Sequence, residues 1–182
     1  MEHADDTFER QAAALVGRRI YAVRYFALTA GGEQGWACGG DRFDTPEFGV
    51  DLDLDGAQTI ALTWAVGPTG LELLHGSLTH ALSDPGVWAV WAVWDVSDRP
   101  QWATHLGKEI VQVDVRQEQI FTDDPTLLPL CITLTFGPDD RIYICAAQYF
   151  DEGDLLIVGG DEIVIFFRDD MVRRYYPDLL AR

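Results

Sequence analysis

Alternation with a period of two dominates this sequence, and it leaves few folds open. Residues 50–55 read Val-Asp-Leu-Asp-Leu-Asp. In residues 108–116, Val111, Val113 and Val115 fall on one side of an extended chain, with Gln112, Asp114 and Arg116 on the other. Such a pattern describes a strand that buries one face and wets the other. Similar runs recur, separated by Gly, Pro and Asp. Residues 20–28 are rich in aromatic and β-branched side chains and predict the first strand. Residues 50–56 and 59–66 predict a hairpin turning near Asp55-Gly56. Residues 71–82 hold another strand or an irregular segment.

Residues 87–94 alternate Val, Ala and Trp and are apolar on both faces, which predicts a strand covered on both sides, the alternative being a short buried helix. Residues 131–136 and 141–147, joined by Gly137-Pro138-Asp139-Asp140, predict a further hairpin, and residues 155–158 and 162–167, joined across Gly159-Gly160, another.

Helical signals are few. Asp6 and Glu9 have capping-box spacing, and Phe8, Ala12 and Leu15 share one face, so a helix is expected over about residues 7–16, ended by Gly17. Ser97 or Asp98 ahead of Pro100 predicts a short helix ended by Gly107, and residues 169–176 a last helical turn before Pro177. Helices this scattered do not alternate with the strands as a doubly wound parallel fold requires. The fold class read from the sequence is therefore α+β: a mainly antiparallel curved sheet of about 7–9 strands, with an N-terminal helix and one short internal helix. An all-β sandwich or barrel is the alternative. The chain of 182 residues has the length of a single domain. Residues 29–49 contain six glycines and read as a long loop tethered by Trp36 and Phe43.

The net charge is −17, with 13 basic and 30 acidic side chains. Residues 1–91 carry 5 and 13 of these and residues 92–182 carry 8 and 17, so no acidic tail concentrates the charge. Phosphate neutralisation needs clustered Lys and Arg, which argues against a nucleic-acid binder, and attachment to an anionic membrane is disfavoured for the same reason. Residues 1–6 show neither a basic nor an apolar leader segment, and the expected compartment is the cytoplasm. Cys38, Cys131 and Cys145 are an odd number without metal-ligand spacing, the latter two within apolar runs where cysteine acts as a small hydrophobe.

Enzymatic and metal signals are weak. Asp51, Asp53, Asp55 and Gly56 match the first half of an EF-hand loop, but the twelfth position is Leu62 where a bidentate Glu is needed. His75, His80 and His105 lack the converging ligands of a zinc site. Ser77 sits in no nucleophile elbow, and the paired glycines lack a phosphate-loop context. No catalytic residue, metal or cofactor is assigned.

The acids instead cluster at predicted turns: Asp139 and Asp140; Asp151, Glu152 and Asp154; Asp161 and Glu162. With Trp36 as an aromatic anchor, these are the candidate residues for docking a basic protein partner by charge complementarity. Bacterial immunity proteins, which occlude cationic toxins, share this profile of charge, size and absent catalytic motif. That is an analogy of physical character and rests on no family motif. The alternatives are a small-ligand binder or enzyme with a pocket under residues 29–49, involving His75, His80 or Asp41, and a structural or oligomerising module.

Overall fold

A computed structural model describes residues 4–28, 42–64, 70–81 and 91–180. The fold is α+β and mainly antiparallel, with ten strands where the sequence predicted fewer. The helices are α1 (Ala4–Ala13), α2 (Leu78–Ala81), α3 (Pro100–Ala103) and α4 (Asp169–Tyr175), followed by a 3-10 turn at Pro177–Leu179. The strands are β1 (Ile20–Leu28), β2 (Phe43–Asp44), β3 (Gly49–Leu54), β4 (Gln58–Trp64), β5 (Leu71–His75), β6 (Trp91–Asp95), β7 (Gln112–Gln119), β8 (Leu127–Gly137), β9 (Asp140–Phe150) and β10 (Leu155–Phe166). They make two sheets rather than one: β5-β4-β3-β1-β6 and β2-β10-β9-β8-β7. Stacked sheets were the feature of the all-β alternative. Helices on the outer faces and at the side keep the chain in the α+β class.

The period of two explains the stacking. Val23, Tyr25, Leu52, Leu54, Ile60 and Leu62 of the first sheet meet Ile132, Leu134, Ile142, Ile144, Ile163 and Ile165 of the second in one buried cluster. Each fully buried aliphatic side chain contributes about 2 kcal/mol. The same alternation sends Asp51 and Asp53 to the outer face, where Arg24 of β1 bonds Asp53 at 2.6 and 2.8 Å. Asp51 is fully buried there and accepts the Leu78 N–H at 3.0 Å, fixing the start of α2. Asp55 pairs with Arg18. These three acids therefore belong to a strand and turn and are held by arginines and by α2. Leu78 closes the outer face of the first sheet over Phe26, Phe48 and Ala61. The second sheet is covered outside by Val172, Tyr176 and Leu179 of the C-terminal segment.

Several expectations shift. α1 begins before the expected start, so position 6 lies inside the helix rather than at its N-cap. Its stripe of Phe8, Ala12 and Leu15 is buried as expected, against β5, β7 and β8 at the side of the stack. Ser97 does not cap α3, because its hydroxyl accepts the Val23 N–H of β1 at 3.0 Å. Of residues 87–94, those before 91 lie outside the described residues. The remainder forms β6, an edge strand with Val93 exposed, so this stretch is not covered on both sides. Val111 does not face the core with Val113 and Val115. Residues 107–110 bond back to residues 17–20, and Val111 then bonds Thr135, so the chain turns a corner between the sheets with Ile110 inward and Val111 out.

Residues 155–167 form no hairpin. Residues 155–166 are a single strand, β10, in which Val158 pairs with Ala147 and Ile163 with Ala146. Residues 159–162 are thus a bulge against continuous β9. Glycine is required there: a Cβ on Gly160 would lie 2.6 Å from the Gln148 backbone nitrogen, and Gly159 has φ +79°.

A buried polar chain links β1, β2 and α3. The Trp102 indole donates to the Tyr25 hydroxyl, which donates to Asp44 at 2.7 Å, and Arg99 donates to the other Asp44 oxygen at 2.7 Å. Burial pushes Asp44 from 3.8 up to about 6, although the Tyr25 hydrogen bond and the Arg99 charge pull the other way. Its folded pKa lies above the unfolded one, so the folded state binds the extra proton between these values and loses that advantage as pH rises. Two pKa units correspond to about 3 kcal/mol. Measured by urea melts, the wild type should lose stability relative to Asp44→Asn as pH rises from about 4 to about 6, and run parallel to it above.

Candidate functional site

Strands of unequal length place the site. β3 and β4 have 6 and 7 residues, whereas β9 and β10 have 11 and 12. The second sheet therefore runs past the first. By alternation, Gln148 and Phe150 share the inner face with Ile144 and Ala146. The register sets Ile157 opposite Gln148 and Leu155 opposite Phe150. Among the described residues, no strand of the first sheet pairs with or extends over that overhang, and Phe150, Leu155 and Ile157 are 39, 52 and 47% exposed. Together they make an apolar ledge.

At the foot of the ledge lies a cleft of about 200 Å³ lined by Glu47, Phe48, Trp64, Gln148, Asp161 and Glu162. The end of the first sheet and its approach supply Glu47, Phe48 and Trp64. The bulge of β10 supplies the two other carboxylates, because its extra residues leave the ladder and project beside Gln148. The Trp64 indole donates to the Glu47 carbonyl at 3.1 Å, fixing the aromatic wall. Burial raises the Glu162 pKa; a hydrogen bond from Gln148 lowers it, and the Glu47 and Asp161 charges raise it further. Three carboxylates beside two aromatic rings make a seat for a cationic side chain, which would relieve the mutual repulsion and face the rings.

The eight residues proposed from sequence fall in different places. Asp161 and Glu162 line the cleft. Asp151 and Glu152 are exposed in the β9–β10 turn at the same end of the sheet as the ledge. Asp139 and Asp140 sit at the opposite end of β9, roughly 33 Å away at about 3.3 Å per residue, so these acids do not form one patch. Asp140 is moreover held by His105 and Lys108, both at 2.7 Å. Trp36 lies outside the described residues.

Asp154 has an internal task. It accepts hydrogen bonds from Tyr175 at 2.6 Å and Tyr149 at 2.9 Å and pairs with Arg42 and Arg174. It thereby buckles the lead into β2, the β9–β10 turn and α4 together. The aromatic rings of Phe43, Tyr149 and Tyr175 pack edge-on around this buckle.

The sequence reading missed Glu47, Phe48, Trp64, Gln148 and the ledge. Leu155 and Ile157 do carry a signal, an apolar pair at period two next to the acidic turn, which the hairpin expected over 155–167 accounts for equally well. Of the residues considered for a pocket under 29–49, His75 is exposed beside Gln58, and Asp41 lies outside the described residues. Among the described residues no group of three or more His, Cys, Asp or Glu side chains is arranged to hold a metal ion, and no helix is long and apolar enough to cross a membrane. No protein-family model, curated protein or solved structure matches this chain, so the chemistry of the site rests on its own residues.

The Asp154 buckle has a pH signature. Hydrogen bonds from Tyr175 and Tyr149, then the Arg174 and Arg42 partners, hold its carboxylate at about 2, below the ordinary 3.8. A depressed folded pKa adds stability above the unfolded value and loses it as acid protonates the folded form. The wild type should therefore lose stability relative to Asp154→Asn as pH falls from about 4 toward about 2, read by thermal melts across that range.

Proposed function

We propose that this chain is a cytoplasmic protein-binding domain that docks a basic protein partner on the ledge and acidic cleft. The observation that carries the reading is the juxtaposition of exposed Phe150, Leu155 and Ile157 with a cleft lined by Glu47, Asp161 and Glu162. Protein interfaces combine an apolar, aromatic centre with a polar rim, and this end of the molecule has both. The electrostatics favour a basic partner. Among the described residues at least ten basic side chains are engaged in ion pairs within the chain, and the net charge of −17 leaves a negative excess to face a partner. Exposed Asp151 and Glu152 add to the field at the same end and would steer encounter. A bacterial immunity protein that neutralises a cationic toxin is the sharper form of this proposal. A toxin-like reading frame beside the gene would support it.

Hexa-arginine is a probe for the cleft. Titrated into isotopically labelled protein at low ionic strength, it should shift the Gln148 side-chain amide, the Trp64 indole and residues 161–162. Asp161→Asn combined with Glu162→Gln should weaken binding at least about tenfold, and added salt should weaken it further. Shifts spread over Asp139 and the other exposed acids, with the cleft silent, would overturn the reading.

The ledge calls for a protein partner. Leu155→Lys with Ile157→Lys should change stability by no more than about 1 kcal/mol, since both side chains are exposed, while abolishing capture of a basic protein from the host at low salt. If light scattering instead finds a dimer of the purified chain that this double variant dissociates, the ledge serves self-association, and the oligomerising reading replaces the first.

A further inference from the structure

Cys131 and Cys145 are direct cross-strand partners in the β8–β9 register. Both side chains are fully buried, and their sulfurs are 2.8 Å apart. Directly opposed residues of an antiparallel pair lie within the Cα separations that a disulfide bridges. An S–S bond of about 2.05 Å needs the sulfurs to close by less than about 1 Å, a side-chain adjustment that leaves the ladder in place. Two sulfurs alone fall short of the three or four ligands of a zinc site.

We infer that Cys131 and Cys145 are an oxidation site, a dithiol that a peroxide converts to a cross-strand disulfide when the C-terminal cover lifts. The chemistry balances with hydrogen peroxide as oxidant. One thiolate attacks a peroxide oxygen, the O–O bond breaks, and hydroxide leaves and is protonated to water, giving a sulfenic acid. The second thiolate attacks that sulfur, the S–O bond breaks, and a second water leaves. Two thiols are oxidised by two electrons and one peroxide is reduced to two waters.

Access is what the fold controls. Both sulfurs lie in the cluster formed with Val172, Tyr176 and Leu179, beneath α4 and the 3-10 turn. Burial, and then the Cys131 sulfur, push the Cys145 thiol well up, so the closed molecule holds that thiol protonated and slow to react. Lifting the C-terminal segment wets both sulfurs at once. The cover is fastened by the Tyr176 hydroxyl donating to Glu118 at 2.8 Å and by the Tyr143 hydroxyl donating to Asp169 at 2.7 Å.

The test uses the full chain carrying Cys38→Ser, so that only this pair of thiols remains. Native protein is exposed to hydrogen peroxide, quenched, denatured and alkylated, and its intact mass is read. The expected product takes up no alkyl group, weighs about 2 Da less than the reduced chain and regains two alkylation sites after treatment with dithiothreitol. Val172→Ala, which thins the cover and leaves both cysteines untouched, should speed the conversion severalfold. Three results would overturn the inference: two thiols still alkylated after oxidation, oxygen adducts in place of the mass loss, or disulfide-linked dimers. An unchanged rate in Val172→Ala would remove the gating role of the cover.

Discussion

The mismatch in length between the two stacked sheets is the constraint from which the rest of this molecule follows. Inner faces of Ile, Leu and Val can exclude water only where each sheet finds the other. β9 and β10 outrun β3 and β4 by several residues, and their alternation continues past the edge of the opposing sheet. Side chains that would be core in a matched stack become an exposed ledge at Phe150, Leu155 and Ile157. The bulge at residues 159–162 falls at the step between the covered and uncovered stretches, and there it delivers Asp161 and Glu162 beside Trp64. Packing and candidate recognition thus come from one geometric fact.

Charge is distributed with a similar logic. The outer face of the first sheet and the C-terminal cover are laced by arginine–carboxylate pairs, including Arg24 with Asp53, Arg141 with Asp169 and Arg42 with Asp154. Partly exposed pairs of this kind are screened by solvent and contribute only modestly one by one. Their larger consequence is to engage the few cations inside the chain. What remains for the surroundings is a negative field, and near the ledge that field is joined to apolar surface.

The interior contains one expensive polar element. Asp44 is 1% exposed and raised to about 6, yet Tyr25, Trp102 and Arg99 converge on it directly or in relay. A buried carboxylate with satisfied oxygens specifies position more sharply than an aliphatic side chain can, because displacing it strands a charge. It pins the two residues of β2 to the second sheet and ties them to β1 and α3, where little apolar area is available to do so. Asp154 performs the matching task at the surface, closing the same stretch of chain onto α4.

By itself the sequence determined the class of the fold and most of its strands. Residues 20–28 and 50–54, the 131–147 hairpin and the helical end at residues 169–175 were legible because period-two alternation and the Gly and Pro residues that bound each element act over a few neighbouring positions. The division into two sheets was not legible, since alternation reports that a face is buried and says nothing of what buries it. Gly159-Gly160 suits a turn and a bulge alike, because glycine relaxes the backbone in both; only the partner strand, continuous through Ala146 and Ala147, decides which. Composition announced the acidity, yet the tertiary structure decided which acids are internal buckles, as Asp154 and Asp140 are, and which face a cleft, as Asp161 and Glu162 do. The physical reason is range. Local propensity acts along the chain, whereas the ledge, the cleft and the meeting of Cys131 with Cys145 depend on which strands end where and on what stands opposite them.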